Sequence, residues 1–371
     1  MSLYAIGAIV VVLIFFGVYR KSEMIEFAHY RANVSSLYCA VFKNSKIPDY
    51  PIIVVPGLKG STLEKDGEIV WLSLKQIFES EPDSALALED NDGIKATGVF
   101  VRVLGIPIVG KFLGYHRISL DMACAKNGYT YYYDWRKSPE DLIPDLSRLV
   151  QDVFKKTGKK PAVIAHSYGG LIVRGLMQNE PEALGPVAMV STPFDPGPMF
   201  LTDDISRGAV VSGNKMLLSA PVTVSHDSSY YLIPLSDSRA FRDEDVSMAN
   251  VWKKYKLGPY AFDAEYPEYE LQAKLDRAQK FRETIRATYI GNSKVLIVRN
   301  NKLRTQRRIN NFGDIVYGVG DGRVGFEAAT PFGISAEQLT YYHHRERHSL
   351  QLQNKEILNR IYSFISTHTE D

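Results

Sequence analysis

Residues 161–170 read Pro-Ala-Val-Ile-Ala-His-Ser-Tyr-Gly-Gly, and this stretch decides the fold. An apolar run typical of a buried strand leads through a tight turn into an amphipathic pattern typical of a helix at 168–178. Small residues two positions before and two after a serine let the strand and helix approach while the hydroxyl projects outward. The stretch therefore predicts a nucleophile elbow at Ser167, with Ala165 where the motif usually has glycine.

Strand-like and helix-like patterns alternate along much of the remaining chain. Strands followed by helices indicate an α/β fold with a mostly parallel sheet and helices on both of its faces. The run Ile-Ile-Val-Val at 52–55 is β-branched throughout, as expected for a strand buried on both sides. Strands are predicted at 52–55, 129–135, 161–165, 186–191 and 295–299, and helices at 140–156 and 168–178.

Two segments interrupt this alternation. Residues 66–118 include an apolar, glycine-punctuated stretch at 98–114, and residues 197–285 are polar, tyrosine-rich and irregular. We interpret the second as a cap inserted above the sheet and the first as a further insertion. The predicted organisation is a connector at 22–50 followed by one catalytic domain at 51–371.

The N-terminus is the least polar part of the chain. Leu3–Tyr19 contains no charged residue, and Arg20 and Lys21 follow at once. This length is near the lower limit for a membrane-spanning helix, and a cleavable signal peptide would have a basic residue before the apolar run. We predict a single-pass membrane anchor at 1–21, with the positive flank and the main domain facing the cytoplasm. A buried helix and a signal peptide are the alternatives, and the sequon at 33–35 argues for the opposite side.

The composition excludes several classes of protein. The 371 residues carry a formal charge of only +2, which provides no general field to attract nucleic acid. A locally basic run at 284–313 lacks aromatic residues between Lys294 and Asn311, so nucleic-acid binding is not expected. Two cysteines, Cys39 and Cys124, exclude a disulfide-dense scaffold and a cysteine-rich zinc site. We expect two reduced, buried thiols, with a single bridge between them as the alternative, and no metal.

A serine nucleophile needs a base and an orienting carboxylate, which α/β-hydrolases place downstream in the order Asp, then His. Asp321 lies in a Gly-Asp-Gly turn that we expect to lead into a strand; Asp314 is the competing acid. His348 directly precedes a C-terminal amphipathic helix and is the preferred base. His344 is the second choice, and it and His343 are interpreted as surface loop residues. His166 is interpreted as a packing residue.

Acyl transfer also requires two backbone donors for the oxyanion. The amide of Tyr168 follows the nucleophile, and the loop after the first strand offers the amide of Leu58. Side chains and backbone amides complete this chemistry, so no organic cofactor is implied.

Five motifs occur together in one order. They are PGLKGSTLE at 56–64, YDWR at 133–136, AHSYGG at 165–170, STPF at 191–194 and GDGRV at 320–324. This set resembles the lecithin:cholesterol acyltransferase and phospholipid:diacylglycerol acyltransferase family over residues 51 to about 365. The resemblance implies a serine-dependent lipid O-acyltransferase or phospholipase that works through an acyl-enzyme. It carries over Ser167, Asp321 and His348 as the triad, and Leu58 and Tyr168 as oxyanion donors.

The supporting tetrapeptide and one departure from the family matter for the site. Asp134 and Arg136 lie two residues apart and flank Trp135, so we expect an ion pair beneath the oxyanion loop rather than substrate contact. Arg323 stands where the family usually has threonine, on the turn of Asp321.

The expected partners are a phospholipid or other acyl-lipid donor, an alcohol acceptor and a membrane. Water as the acceptor would give a phospholipase, and a catalytically dead, membrane-tethered lipid-binding protein is the remote alternative. The basic run at 284–313 is interpreted either as a site for anionic headgroups or as a solvated hairpin. The sequence does not predict the oligomeric state.

Overall fold

The computed structural model describes residues 39, 46–71, 86–99, 114–210, 216–286 and 290–369. All elements below belong to one compact unit, Lys46–Asp371. The strands are β1 (Ile52–Val55), β2 (Ser61–Lys65), β3 (Glu68–Trp71), β4 (Lys95–Val99), β5 (Gly128–Thr130), β6 (Ala162–His166), β7 (Val187–Val190), β8 (Ala209–Val210), β9 (Met216–Leu218), β10 (Val295–Asn300), β11 (Leu303–Ile309), β12 (Ile315–Gly320) and β13 (Leu339–His344). The α-helices are α1 (His116–Cys124), α2 (Pro139–Thr157), α3 (Tyr168–Asn179), α4 (Ala220–Ser225), α5 (Ala249–Tyr255), α6 (Glu268–Thr284) and α7 (Lys355–Thr367).

Six parallel strands form the central sheet in the order β13-β10-β7-β6-β1-β5. The strands β1, β6 and β7 are buried at every position, which explains their continuous apolar sequences. The chain first moves from β1 to β5 on one side and then returns to β6 on the other side of β1. The carboxyl ends of β1 and β6 therefore flank a topological switch point, where open α/β sheets bind their ligands.

Helices cover both faces of this sheet. Alternate residues of β1 belong to two different cores, with Ile53 packing among residues of α2 and α3, and Ile52 among residues of α1 and α7. Local signals set the ends of α2. Ser138 accepts a hydrogen bond from the Asp141 amide at its start, and Gly158 ends it in the left-handed conformation. The predicted fold, an α/β-hydrolase sheet with helices on both faces, is confirmed.

The segment 197–285 contributes helical elements beside this layered core. They are a π-helical turn at Phe200–Ile205, a 3₁₀ turn at Asp227–Leu232, another at Gly258–Ala261, and the helices α4, α5 and α6. We call the described residues of 197–285 the cap. A separate hairpin, formed by antiparallel β11 and β12, precedes the loop of Asp321.

Several local expectations were wrong. The strand predicted at 129–135 ends at Thr130, because its neighbour β1 ends at Val55 and the ladder stops with the bond from the Tyr131 amide to the Val54 carbonyl. A strand precedes Asp321 instead of following it. His343 and His344 lie on the last strand of the sheet rather than in a loop, and His344 is buried.

The expectation of reduced thiols was also wrong, since Cys39 and Cys124 are both disulfide-bonded. The predicted anchor at 1–21 and most of the connector at 22–50 lie outside the described residues, as do residues 100–113 of the apolar stretch 98–114. Among the helices that are described, none is long and apolar enough to cross a membrane.

Candidate active site

Ser167 occupies the tight turn between β6 and α3. Its φ of 53° and ψ of −125° place it in a region that non-glycine residues rarely adopt. Gly169 allows the backbone of α3 to lie very close to the loop after β1, because a β-carbon at this position would lie 2.4 Å from the Pro56 carbonyl oxygen. The strained turn directs the side chain of Ser167 out of the strand, as a nucleophile elbow requires.

The structure brings Ser167, His348 and Asp321 into one hydrogen-bonded line. His348 Nε2 lies 2.9 Å from Ser167 Oγ, and His348 Nδ1 lies 2.6 Å from Asp321 Oδ2. Because an ionised carboxylate can only accept, Nδ1 carries the imidazole hydrogen and Nε2 accepts from the serine hydroxyl. The ring is thus in the tautomer that can take the serine proton.

Asp321 is held in place by several donors in addition to His348. The amides of Arg323 and Val324 donate to Oδ1 at 2.9 and 2.7 Å, and the Gln351 side chain donates to Oδ2 at 2.9 Å. Burial alone would raise the pKa of the Asp321 carboxyl, but His348 and the two amides outweigh it and hold that pKa well below its usual range. The residue is a fixed, buried carboxylate.

The two predicted oxyanion donors lie on elements that meet beside Ser167. Tyr168 begins α3, whose first amides have no partner within the helix. Leu58 follows Gly57, where an added β-carbon would lie 2.8 Å from the Ser167 Cβ. Within the described part of the chain, the Leu58 amide has no hydrogen-bond acceptor. Both amides are therefore available next to the nucleophile.

The Tyr-Asp-Trp-Arg segment clamps the loop that carries Leu58. The hydroxyl of Tyr133 donates to the Pro56 carbonyl at 2.7 Å, and the Trp135 indole donates to the Ser61 carbonyl at 3.1 Å. Arg136 binds both carboxylate oxygens of Asp134, at 2.9 and 2.7 Å, and reaches Asp92 at 2.6 Å.

This clamp is the structural ion pair expected from the sequence, although its residues lie in a turn and not on a strand. The Arg136 side chain is completely buried, so it acts on the loop from beneath.

A second chain of hydrogen bonds joins the oxyanion loop to the backbone of the base. The Gly57 amide donates to Tyr115 Oη at 2.7 Å, Tyr115 Oη lies 2.7 Å from His166 Nδ1, and His166 Nε2 lies 3.1 Å from the His348 carbonyl. A carbonyl only accepts, so Nε2 carries the hydrogen and Nδ1 accepts from the tyrosine hydroxyl. We call Gly57, Tyr115, His166 and His348 the relay.

His166 is neutral in this arrangement, because burial lowers its pKa to about 3. The sequence interpretation as a packing residue missed this role. Its neighbour Tyr115 carries no motif and lies 51 residues earlier in the chain, so no local pattern could have paired the two.

A small pocket lies between the oxyanion loop and the cap. It holds about 280 Å³ of empty space, counting its open mouth, and Leu58 contributes to its wall. Phe200, Ile205 and Leu232 form apolar parts of the lining, and Lys59, Asp204 and His226 form polar parts. Arg323 forms an ion pair with Asp204 and so ties the turn of Asp321 to the cap.

The parallel sheet and the elbow at Ser167 give this chain a fold of the α/β-hydrolase type. No family model matches the sequence. An uncharacterised protein of Saccharomyces cerevisiae is 24% identical over 270 residues, which cover 66% of this chain and 40% of that protein. Phospholipase A(1) LCAT3 of Arabidopsis thaliana is 29% identical over 200 residues, or 43% of this chain and 44% of the plant enzyme. The chain thus spans less than half the length of the curated relatives it matches.

Solved structures of similar proteins include a mature lipase of Bacillus licheniformis, with a TM-score of 0.39 and 12% identity over 88% of this chain and 94% of that one. A monoacylglycerol lipase of Paleococcus ferrophilus has a TM-score of 0.35 and 14% identity over 86% of this chain and 94% of that one.

No group of three or more histidine, cysteine, aspartate or glutamate side chains suited to a metal ion occurs in the part of the chain that the structure describes.

Proposed function

We propose that this protein is a serine-dependent lipid O-acyltransferase, which moves a fatty acyl group from a glycerophospholipid to an alcohol through an acyl-enzyme. The observation that carries the proposal is the hydrogen-bonded line from Ser167 through His348 to Asp321 at the end of the elbow strand. The five motifs that resemble those of the lecithin:cholesterol acyltransferase family support the lipid class of the substrate.

In the acylation step, Ser167 Oγ attacks the ester carbonyl carbon while His348 Nε2 takes the serine proton. Asp321 stabilises the resulting imidazolium, and the amides of Leu58 and Tyr168 donate to the oxyanion. The tetrahedral intermediate then breaks the bond to the lysolipid oxygen, which receives the proton from His348. The acyl group remains as an ester on Ser167.

In the transfer step, the acceptor alcohol takes the place of the departed lysolipid. His348 Nε2 removes the proton of its hydroxyl, and the alcohol oxygen attacks the acyl carbonyl. Collapse of the second intermediate breaks the bond to Ser167 and returns the proton to the serine oxygen. The product is a new lipid ester, and the enzyme is restored.

Hydrolysis is the second candidate, with water in place of the alcohol. The observation that favours it is the likeness to a plant protein named as a phospholipase A(1). Both reactions use the same residues in the same roles.

The nucleophile can be tested with a fluorophosphonate that labels active-site serines. The full chain should be labelled, and Ser167→Ala should not. Replacing the base should be equally damaging, so His348→Ala should lower the rate of acyl transfer by about 10³-fold or more. His344→Ala is the matched control, and it should leave that rate nearly unchanged. Labelling of Ser167→Ala would contradict the proposal, and activity in His348→Ala would move the base elsewhere.

The acceptor can be tested with a phospholipid carrying a labelled acyl chain. The full chain is incubated with this donor and with a panel that includes a sterol, a diacylglycerol and a lysolipid. A labelled ester of one acceptor supports the transferase. Free fatty acid as the sole product with every acceptor supports the phospholipase.

The membrane location remains part of the proposal. We keep the single-pass anchor at 1–21 but now favour an oxidising compartment for the catalytic domain, since cytosolic thiols are held reduced and Cys39 and Cys124 are disulfide-bonded. Alkylation with a maleimide polymer before and after reduction tests this in membranes from the native source. A mobility shift without reduction would restore the cytoplasmic prediction.

A further inference from the structure

The hairpin of β11 and β12 presents a strongly exposed aromatic side chain at its tip. Phe312 is 90% exposed, more than any other large apolar side chain among the described residues. The tip is nevertheless ordered by its own hydrogen bonds. The side chain of Asn310 accepts from the amides of Phe312 and Asp314, at 3.0 and 2.8 Å, and Arg242 of the cap donates to the Asn311 carbonyl at 3.2 Å.

The exposed apolar surface continues from the tip along β12. Ile315, Tyr317 and Val319 alternate along the strand, so they share one face, and their exposed fractions lie between 41% and 51%. A single exposed apolar residue is ordinary, but a contiguous apolar strip on an ordered hairpin indicates a surface that binds a protein or a membrane.

Basic side chains frame this strip. Residues 302–314 contain four basic residues, Lys302, Arg304, Arg307 and Arg308, and one acidic residue, Asp314. The Arg304 guanidinium stacks 3.6 Å from the centre of the Tyr317 ring, which places charge at the edge of the apolar face. Within the described ranges, none of the four basic residues forms an ion pair.

We propose that this hairpin docks on the surface of an anionic lipid bilayer, with Phe312 and the β12 strip entering the headgroup region and the arginines binding lipid phosphates. A preformed apolar wedge flanked by basic residues fits this surface, because lipid anions attract the charges while the acyl boundary covers the apolar face. The inference rests on the proposed function, since β12 leads directly into Asp321 and a docked hairpin would hold the site near its lipid substrate.

The contact can be measured with tryptophan fluorescence in the full chain. The three native tryptophans, Trp71, Trp135 and Trp252, are each 2% exposed or less, so an added exposed tryptophan reports its own surroundings. Phe312→Trp in vesicles with phosphatidylserine and brominated acyl chains should show a blue-shifted emission and a several-fold quenching. Vesicles that carry the same brominated acyl chains but contain only phosphatidylcholine should quench this emission much less.

Tyr269→Trp is the matched control, because Tyr269 is 74% exposed on α6 in a locally acidic stretch with Glu268 and Glu270. It should remain unquenched. Equal quenching of the two variants, or none in Phe312→Trp, would overturn the proposal. Equal quenching by neutral and anionic vesicles would overturn the anionic surface. A blue shift without lipid that grows with protein concentration would identify a second copy of the chain as the partner and likewise overturn it.

Enzyme assays separate this inference from the proposed function. In Phe312→Ser, turnover of lipid in anionic vesicles should fall several-fold relative to turnover of a short-chain soluble ester. An unchanged ratio would overturn the productive docking. If the full chain turned over neither substrate but Phe312→Trp were quenched, the docking surface would stand and the proposed acyl transfer would fail.

Discussion

The Ser167 site and the β11–β12 hairpin adjoin in the chain but differ in how their polar groups are satisfied. Asp321, directly after β12, accepts hydrogen bonds on both carboxylate oxygens and is buried. The hairpin a few residues earlier leaves its arginines without ion pairs among the described residues and its phenylalanine in solvent. The polar groups of the first region are satisfied within the chain, whereas we propose that a lipid surface covers the second. Substitutions in the Ser167 site should therefore lower turnover of a soluble ester or stability, whereas substitutions in the hairpin should leave both nearly unchanged.

The largest effect is expected at the orienting acid. Asp321→Asn keeps the shape but removes the charge that fixes the His348 tautomer, so turnover of a soluble ester should fall by about 10⁴-fold. Asp314→Asn, at the tip of the hairpin, is the control and should keep its turnover on the same soluble substrate. Full activity in Asp321→Asn would make the observed line of hydrogen bonds irrelevant to the reaction.

Next comes the buried ion pair beneath the oxyanion loop. Asp134→Asn leaves the buried Arg136 with only Asp92 as a charged partner, so the free energy of unfolding should fall by about 3 kcal/mol. The exposed pair of Asp145 and Arg148 provides the contrast, and Asp145→Asn should cost less than about 1 kcal/mol. Urea unfolding measures both. Similar losses in the two variants would contradict the clamp.

Acid should destabilise the fold through its buried neutral histidines. Burial lowers the pKa of His166 and His226 to about 3 and that of His344 to about 4. Below about pH 6.5 the unfolded chain binds protons that the folded chain does not, so stability present at neutral pH is lost progressively towards pH 4.

Each of these histidines contributes a slope of about 1.4 kcal/mol per pH unit in that window. Denaturation curves at pH 7, 6 and 5 measure the slope, and His226→Asn should reduce it. The low pKa of Asp321 acts in a separate window, below its ordinary value near 3.8. Stability that rises as the pH falls from 6.5 to 5 would refute the assignment.

The relay should affect rate more than substrate binding. Tyr115→Phe leaves the Gly57 amide and His166 Nδ1 without their shared partner, so kcat should fall about tenfold with little change in KM. Tyr131→Phe removes another buried hydroxyl, which donates to the Leu142 carbonyl, and should reduce stability without that loss in kcat. Equal kinetic losses in the two variants would show that the relay has only a structural role.

The smallest effect on the fold is expected in the hairpin. Phe312→Ala removes an exposed ring and should change the free energy of unfolding by less than about 0.5 kcal/mol. Phe281→Ala, in the buried face of α6, should cost about 3 kcal/mol or more. A large loss in Phe312→Ala would mean that the tip serves the fold and not an external surface.

The sequence indicated which three residues the structure brings into one hydrogen-bonded line, but it gave less about their surroundings. Ser167, Asp321 and His348 could be found because each stands in a local motif or at the start of a helix pattern, and their order is informative. Tyr115 and Gln351 could not, since they act through long-range hydrogen bonds, two at Tyr115 and one at Gln351, that no sequence spacing indicates. The strand at 129–135 was overextended because tyrosines have high strand propensity, whereas the length of β1 limits the pairing.

Gly57 and Gly169 also limit how the sequence of this chain can evolve. Position 169 faces the carbonyl oxygen of Pro56 and position 57 faces Ser167, each at a distance that leaves room for a hydrogen atom and nothing larger. Neither obstacle is a flexible side-chain end that could rotate aside. Descendants of this chain can therefore exchange the residues that line the pocket while these two positions stay unchanged. A survey of natural variants should find both positions invariant wherever the serine is retained.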